Sequence, residues 1–188
     1  LLIGNESLTV DCGKSWLDRG HALAAVVTRE AKVAAWAAGA GLRVIAPGAG
    51  LVERAEGLAV DWVLSVANLS LVPDAVMSLA RQGGVNFHDG PLPGYAGLNA
   101  PVWALLNGET THAITWHLMT AGIDEGEVLA SRSFEIEADD TAFTLNTRCF
   151  AAAVDSFPQV MTAMEAGGHP RQPQAAGVRH VWRRADRP

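Results

Sequence analysis

The first half of the chain alternates short apolar runs with helical stretches. Leu1–Ile3 predict a buried first strand. A turn at Gly4-Asn5-Glu6-Ser7 leads into a helix to about Arg19, which Gly20 closes. The run Ala-Leu-Ala-Ala-Val-Val inside residues 21–28 predicts a strand of the parallel, doubly buried type. An Ala-rich helix over 30–40 ends at Gly41, and a third strand follows at 42–46. Residues 51–58 read as a short polar connection or helix. A fourth strand is expected at 61–67, a loop at 68–71, and a helix over 74–81 with Pro73 in its first turn. Further strands are expected at 84–88, 111–119 and 128–136, with a helix near 99–106 between the first two. Phe143, Phe150, Phe157 and Met164 recur every seven residues after Asp140-Thr141, which predicts a core-facing helical stripe. Pro158 inside that stripe is expected to kink or restart the helix. Strand and helix in alternation point to an α/β fold: an open, mostly parallel Rossmann-like sheet with helices on both faces.

Bulk properties narrow the class. The 188 residues suffice for one sizeable core. Nearly half the residues are apolar, at 49%, so the chain is globular. A formal net charge of -6 argues against nucleic acid held by phosphate neutralisation. No apolar run reaches membrane-spanning length, and no signal-peptide pattern opens the chain, so no membrane partner is expected. Two widely separated cysteines, Cys12 and Cys149, favour a reducing, cytoplasmic setting. The chain opens on Leu1-Leu2-Ile3 with no Met, which reads as a piece cut from something longer. After Gly167-Gly168 the composition shifts to Pro, Gln, Arg and His. The expected organisation is therefore a catalytic domain over 1–167 and a tail or interdomain linker over 168–188.

Candidate chemistry concentrates in residues 86–101. Asn86 and His88 are two apart, so on a strand they share a face. An amide that donates, beside an imidazole that can move a proton, suits chemistry at a carbonyl. The pair taken alone reads more readily as a satisfied core histidine and a strand-ending Asn, and the loop that follows changes that. A nicotinamide cofactor is not expected, because Gly4-Asn5-Glu6-Ser7 follows the first strand in place of a Gly-x-Gly-x-x-Gly fingerprint. Gly48-Ala49-Gly50 also lacks the third glycine. His112 and His117, five apart on one strand, face opposite sides, and neither cysteine has ligand-like spacing to a histidine. No metal is expected.

The stretch His88-Asp89-Gly90-Pro91-Leu92-Pro93-Gly94-Tyr95-Ala96-Gly97 with Asn86 resembles the Asn-x-His and Ser-Leu-Leu-Pro-x-x-x-Gly signature of the folate-dependent formyltransferases. Ala100-Pro101, Asn107-Gly108-Glu109 and Gly122-Ile123-Asp124-Glu125-Gly126-Glu127 continue the resemblance in order and spacing. It covers roughly residues 1–165 and is specific over 84–129. Two departures stand out: Gly-Pro-Leu-Pro replaces Ser-Leu-Leu-Pro, and Glu125 stands where Thr is usual. The resemblance implies a formyltransferase fold like the N-terminal domain of methionyl-tRNA formyltransferase. It implies Asn86, His88 and Asp124 as catalytic residues and 10-formyltetrahydrofolate as the one-carbon donor. It also implies a folate pocket drawn from Ser70, Leu71, Leu92, Thr120, Gly122 and Ile123, largely through backbone groups. A turn-forming Asp between glycines is the alternative for Asp124.

Within the family, the motif wording looks most like formyltransferase domains of nonribosomal peptide and polyketide synthetases. The implied acceptor is an amine on an aminoacyl group tethered to a carrier protein, with neighbouring synthetase domains as partners. Two other readings stay open: an N-formyltransferase for amino sugars or other small molecules, and a non-catalytic docking module that keeps the fold.

Overall fold

The structure is a computed structural model, and it describes residues 1–186. Seven strands form the main sheet in the order β3-β2-β1-β4-β5-β7-β8. They are β1 (Leu2–Ile3), β2 (Val26–Val27), β3 (Val44–Ile45), β4 (Val60–Ser65), β5 (Ala80–His88), β7 (Thr111–Leu118) and β8 (Val128–Glu135). A separate parallel pair joins β6 (Ala96–Gly97) to β9 (Val181–Trp182). The helices are α1 (Ser7–Asp18), α2 (Ala31–Gly39), α3 (Leu51–Ala55), α4 (Asp74–Met77), α5 (Ala100–Leu106) and α6 (Ala142–Glu165). The expected mostly parallel α/β sheet is what the chain builds. Among the described residues, no helix is long and apolar enough to cross a membrane. The chain divides into two compact units, Leu1–Asn86 and Phe87–Pro188.

In the first unit, β1 to β5 pair in parallel, with Leu2 opposite Val26 and Leu64. Alternation sends Leu1 and Ile3 to one face, where they pack with Val27, Ile45, Val63, Leu51 of α3 and Val76 of α4. On Leu2's side α1 and α2 meet closely: a Cβ on Gly13 would lie 2.3 Å from the Trp36 ring and 3.0 Å from Leu2. The expected helix over 74–81 is cut short at Met77, and β5 starts at Ala80 rather than at Gly84. Sheet pairing claims those residues. Val60 pairs with Ala80 and Trp62 with Gly83, so β5 bulges by one residue, and Gly83 takes the positive φ of 114°.

In the second unit, β7 and β8 pair antiparallel, with Ala113 opposite Ser133. Trp116 is fully buried between Phe87 and Phe157, and its indole N–H donates to Ser156 Oγ at 3.0 Å. Helix α6 runs unbroken through Pro158, so the helix does not restart there. Pro158 lies on the solvent face, where water can replace the lost ladder bond to the exposed Val154. The sevenfold stripe also fails at its start. Phe157 and Met164 are buried, but Phe143 is 79% exposed. A seven-residue repeat drifts about 20° per heptad on a straight helix. The buried face follows Leu145, Cys149, Ala153, Phe157 and Val160 instead.

The stretch after Gly168, expected as a tail or interdomain linker, carries β9, a 3-10 turn at Arg184–Asp186 and several contacts to the rest of its unit. Residues 187 and 188 of that stretch lie outside the described residues.

Candidate active site

Strand β5 carries Asn86 and His88 at its carboxyl end, two residues apart and so on one face. Asn86 is half-buried and pairs in register with Ser65 of β4. His88 is buried, and its Nε2 lies 2.5 Å from the carbonyl oxygen of Tyr95. A carbonyl only accepts, so that nitrogen carries a proton and donates it. The other nitrogen, Nδ1, faces two carboxylates: Asp124 Oδ2 at 3.5 Å and Asp89 Oδ1 at 3.8 Å.

Asp124 lies in the loop after β7, at a left-handed φ of 50°. Such a conformation suits Asp better than most residues, but it costs energy and needs support from around it. Gly126, two residues on, presses so close to Leu118 that a Cβ would come within 1.6 Å of its carbonyl oxygen. The Asp124 carboxylate accepts the Gly97 N–H at Oδ2, 2.8 Å away, and faces His117 Nε2 across 3.2 Å at Oδ1. Burial pushes its pKa up. The His117 bond, the charge of His88 and the Gly97 N–H outweigh that and bring it down to about 2. Asp89 goes the other way. Burial raises its pKa, against the pull of His88 and His112.

The structure brings His88 and Asp124 together as expected and keeps Asn86 on the His88 strand. It adds His117, Asp89 and the Gly97 N–H, which the sequence reading did not single out. His117 and His112 do sit on opposite faces of β7. His112 Nε2 donates to the Asp89 carbonyl at 2.8 Å, while His117 turns to Asp124 and donates through Nδ1 to the Leu118 carbonyl at 2.8 Å. The missed signal was position: His117 is the next-to-last residue of the strand that feeds the Asp124 loop, as His88 is the last of β5.

The residues expected to contact folate fall in both units. In the first, Ser70 and Leu71 lie in an exposed loop. There Asn68 accepts from the Ser70 N–H at 3.2 Å and donates to the Ser70 carbonyl at 2.8 Å. In the second, Leu92, Gly122 and Ile123 are half-buried and Thr120 is exposed. Among the described residues, no three His, Cys, Asp or Glu side chains form a cluster that could hold a metal.

An ionised carboxylate across from an imidazole equips the end of the sheet for moving a proton. A neutral amide on the His88 strand adds a donor of the kind that steadies an oxyanion. Open α/β folds place ligands at the carboxyl ends of their strands, and both His88 and Asn86 are there. The formyl transferase family profile matches residues 47–161, more than half of the chain, and the chain belongs to that family. A GDP-perosamine N-formyltransferase of Brucella melitensis biotype 1 is 34% identical over 107 residues, which cover 57% of this chain. That match spans 41% of the relative, so the chain accounts for less than half of its length. Among solved structures, WlaRD, a sugar 3N-formyl transferase crystallised with dTDP and 5-N-formyl-THF, superposes with a TM-score of 0.81 at 16% identity. The match covers 99% of this chain and 69% of that one. Glycinamide ribonucleotide transformylase 1 from Symbiobacterium toebii gives a TM-score of 0.80 at 22% identity, covering 92% of each chain. At these identities the likeness is one of fold.

Proposed function

We propose that the chain transfers a formyl group from 10-formyltetrahydrofolate to an amine. The observation that carries this is the His88–Asp124 pair: an imidazole with one nitrogen committed to Tyr95 and the other turned to an ionised carboxylate. The amine nitrogen attacks the formyl carbon. A C–N bond forms as the carbonyl pair moves onto oxygen, and the Asn86 amide donates to that oxyanion. One such donor is worth about 3–4 kcal/mol. The amine's proton passes to His88 Nδ1. A carboxylate with a pKa of about 2 is too weak a base to take the proton itself, and Asp124 instead stabilises the imidazolium. The proton then goes to the folate nitrogen as its bond to the formyl carbon breaks, leaving a formamide and tetrahydrofolate.

For the folate, the second unit offers Leu92 and the backbone of Thr120, Gly122 and Ile123. The loop at Ser70 and Leu71, also expected from the resemblance, belongs to the first unit, where Asn68 holds it in a turn. For the acceptor, the names of relatives of similar fold or sequence support a small-molecule amine of the amino-sugar type. The carrier-tethered aminoacyl group and synthetase neighbours expected from the motif wording draw no support from those relatives. One assay tests both readings: 10-formyltetrahydrofolate with an amino-sugar nucleotide, glycinamide ribonucleotide or an aminoacyl-loaded carrier protein, with the products read by mass. Formylation of the sugar amine is expected. A folded chain that formylates none of the three would overturn the proposal, and formylation of the carrier-bound amine alone would restore the tethered acceptor.

A further inference from the structure

Residues 174–182 lie past the motifs that carry the resemblance, yet their side chains and backbone reach the Asp124 loop from two directions. Gln174 donates through Nε2 to the carbonyls of Asp124 at 2.7 Å and of Gly126 at 2.9 Å. Arg179 donates to the carbonyls of Ile123 and, at 3.3 Å, of Asp124. Its guanidinium also pairs with Glu125 Oε1 at 3.3 Å. Glu125 is the residue that departs from the Thr usual in the resembling motif, and here it supplies the anion for a cation binding the same loop. The second direction is through β9. Val181 and Trp182 pair with Ala96 and Gly97, and the Gly97 N–H donates to the Asp124 carboxylate. Gly97 sits against the Trp182 backbone, where a Cβ would come within 2.1 Å of the Trp182 oxygen.

We infer that Gln174 and Arg179 are positioning residues for Asp124, and that the segment bearing them completes the site from its C-terminal side. This rests on the proposed formyl transfer. Three loop carbonyls, those of Ile123, Asp124 and Gly126, receive side-chain donors. That arrangement holds the backbone around a residue at positive φ, so the carboxylate keeps its bearing on His88 and His117. A small misplacement of a reacting group is enough to slow an enzyme by about 100-fold.

The test uses Gln174→Met, which keeps the side chain's length and removes both donated bonds, and Arg179→Lys, which keeps the charge for Glu125 but loses the fork. In hydrogen exchange on the full chain, amides of residues 120–127 should exchange faster in Gln174→Met while those of α1 and α2 stay unchanged. Unchanged exchange at 120–127 would overturn the clamp. In formyl transfer, Gln174→Met should lower kcat about tenfold in the native background. It should slow single-turnover transfer no further in Asp124→Asn, because the effect runs through that carboxylate. Equal losses in both backgrounds, or no loss in the native one, would overturn the positioning role. Arg179→Lys should recover more activity than Arg179→Met. If the native chain transfers no formyl group, the proposed function fails, and the exchange at 120–127 still decides the clamp.

Discussion

Asp124 and Asp89 both face His88 Nδ1, and their environments push them in opposite directions. Asp124 is held at about 2, below the ordinary 3.8, so the fold stabilises its ionised form. That stabilisation is fully present above about pH 4 and falls away as pH drops from about 4 through 2. It amounts to something on the order of 2 kcal/mol. Asp89 is raised by burial, so its ionisation weakens the fold as pH rises above the ordinary carboxylate range. Denaturant melts from pH 2 to 7 should therefore show Asp124→Asn losing stability at neutral pH and losing much of the acid dependence. Asp89→Asn should be neutral or stabilising at pH 7. Equal behaviour of the two variants would contradict the assignment. For turnover, His88→Ala and Asp124→Asn should each lower kcat by about 100-fold with little change in folate affinity, since the roles proposed for them belong to the proton step. Asn86→Ala should cost about 100-fold or more, as loss of one oxyanion donor does. Single-turnover rates beside folate titrations separate the two quantities.

At the scale of elements, the apolar runs announced the strands because parallel strands buried on both faces must be apolar throughout, as Leu2, Val26 and Val63 are. Their ends were less legible. Residues 80–82 look as helical as 74–77, and only the pairing of Val60 with Ala80 decides between the two states. Asn86 and His88 stood out in the sequence because they lead into a Gly- and Pro-rich loop, and Asp124 because it lies between glycines in a second motif. His117 could not, because a histidine five residues from another on a strand shows which face it takes but not what that face meets. Nor could the C-terminal clamp, which depends on contacts between residues about 50 apart. Helix α6 offers a direct check on which face is buried. Phe157→Ala should cost about 3–5 kcal/mol, since Phe157 packs on Trp116 in the core. Phe143→Ser should stay within about 0.5 kcal/mol, as exposed substitutions do. Gly97→Ala should destabilise by about 1–3 kcal/mol, because φ is 92° there and the new methyl meets the Trp182 oxygen. Urea melts of the three variants would read these costs; a costly Phe143→Ser beside a harmless Phe157→Ala would reverse the assigned face.

At the scale of the whole molecule, an open parallel sheet raises the question of which ligand its strand ends serve, since many such folds bind dinucleotides. Here the first strand–helix turn is closed to a pyrophosphate. Gly4 is tight against the chain: a Cβ there would lie 2.1 Å from the Val66 carbonyl oxygen and 2.2 Å from Thr9 Oγ1. The Thr9 hydroxyl donates to that carbonyl at 3.0 Å and accepts from the Glu6 N–H at 3.4 Å. It fills the space where phosphate oxygens would meet the N-terminus of α1. Glu6, the N-cap, adds a negative charge at the same spot. Asn5 is also engaged, accepting from the Arg29 N–H at 3.0 Å. A dinucleotide would have to displace a buried bond and face a carboxylate. The proposed binding of formyl-folate makes no such demand on this turn, because the polar groups proposed for it lie at the carboxyl ends of later strands. The full chain should therefore gain stability with a reduced or formyl-folate analogue and none with NAD. A ligand at 100 times its dissociation constant stabilises a fold by about 2.7 kcal/mol, which a thermal-shift measurement resolves as several degrees. A shift with NAD and none with the folate analogue would mean that the turn after β1 opens to admit phosphate and that the His88–Asp124 site serves another chemistry.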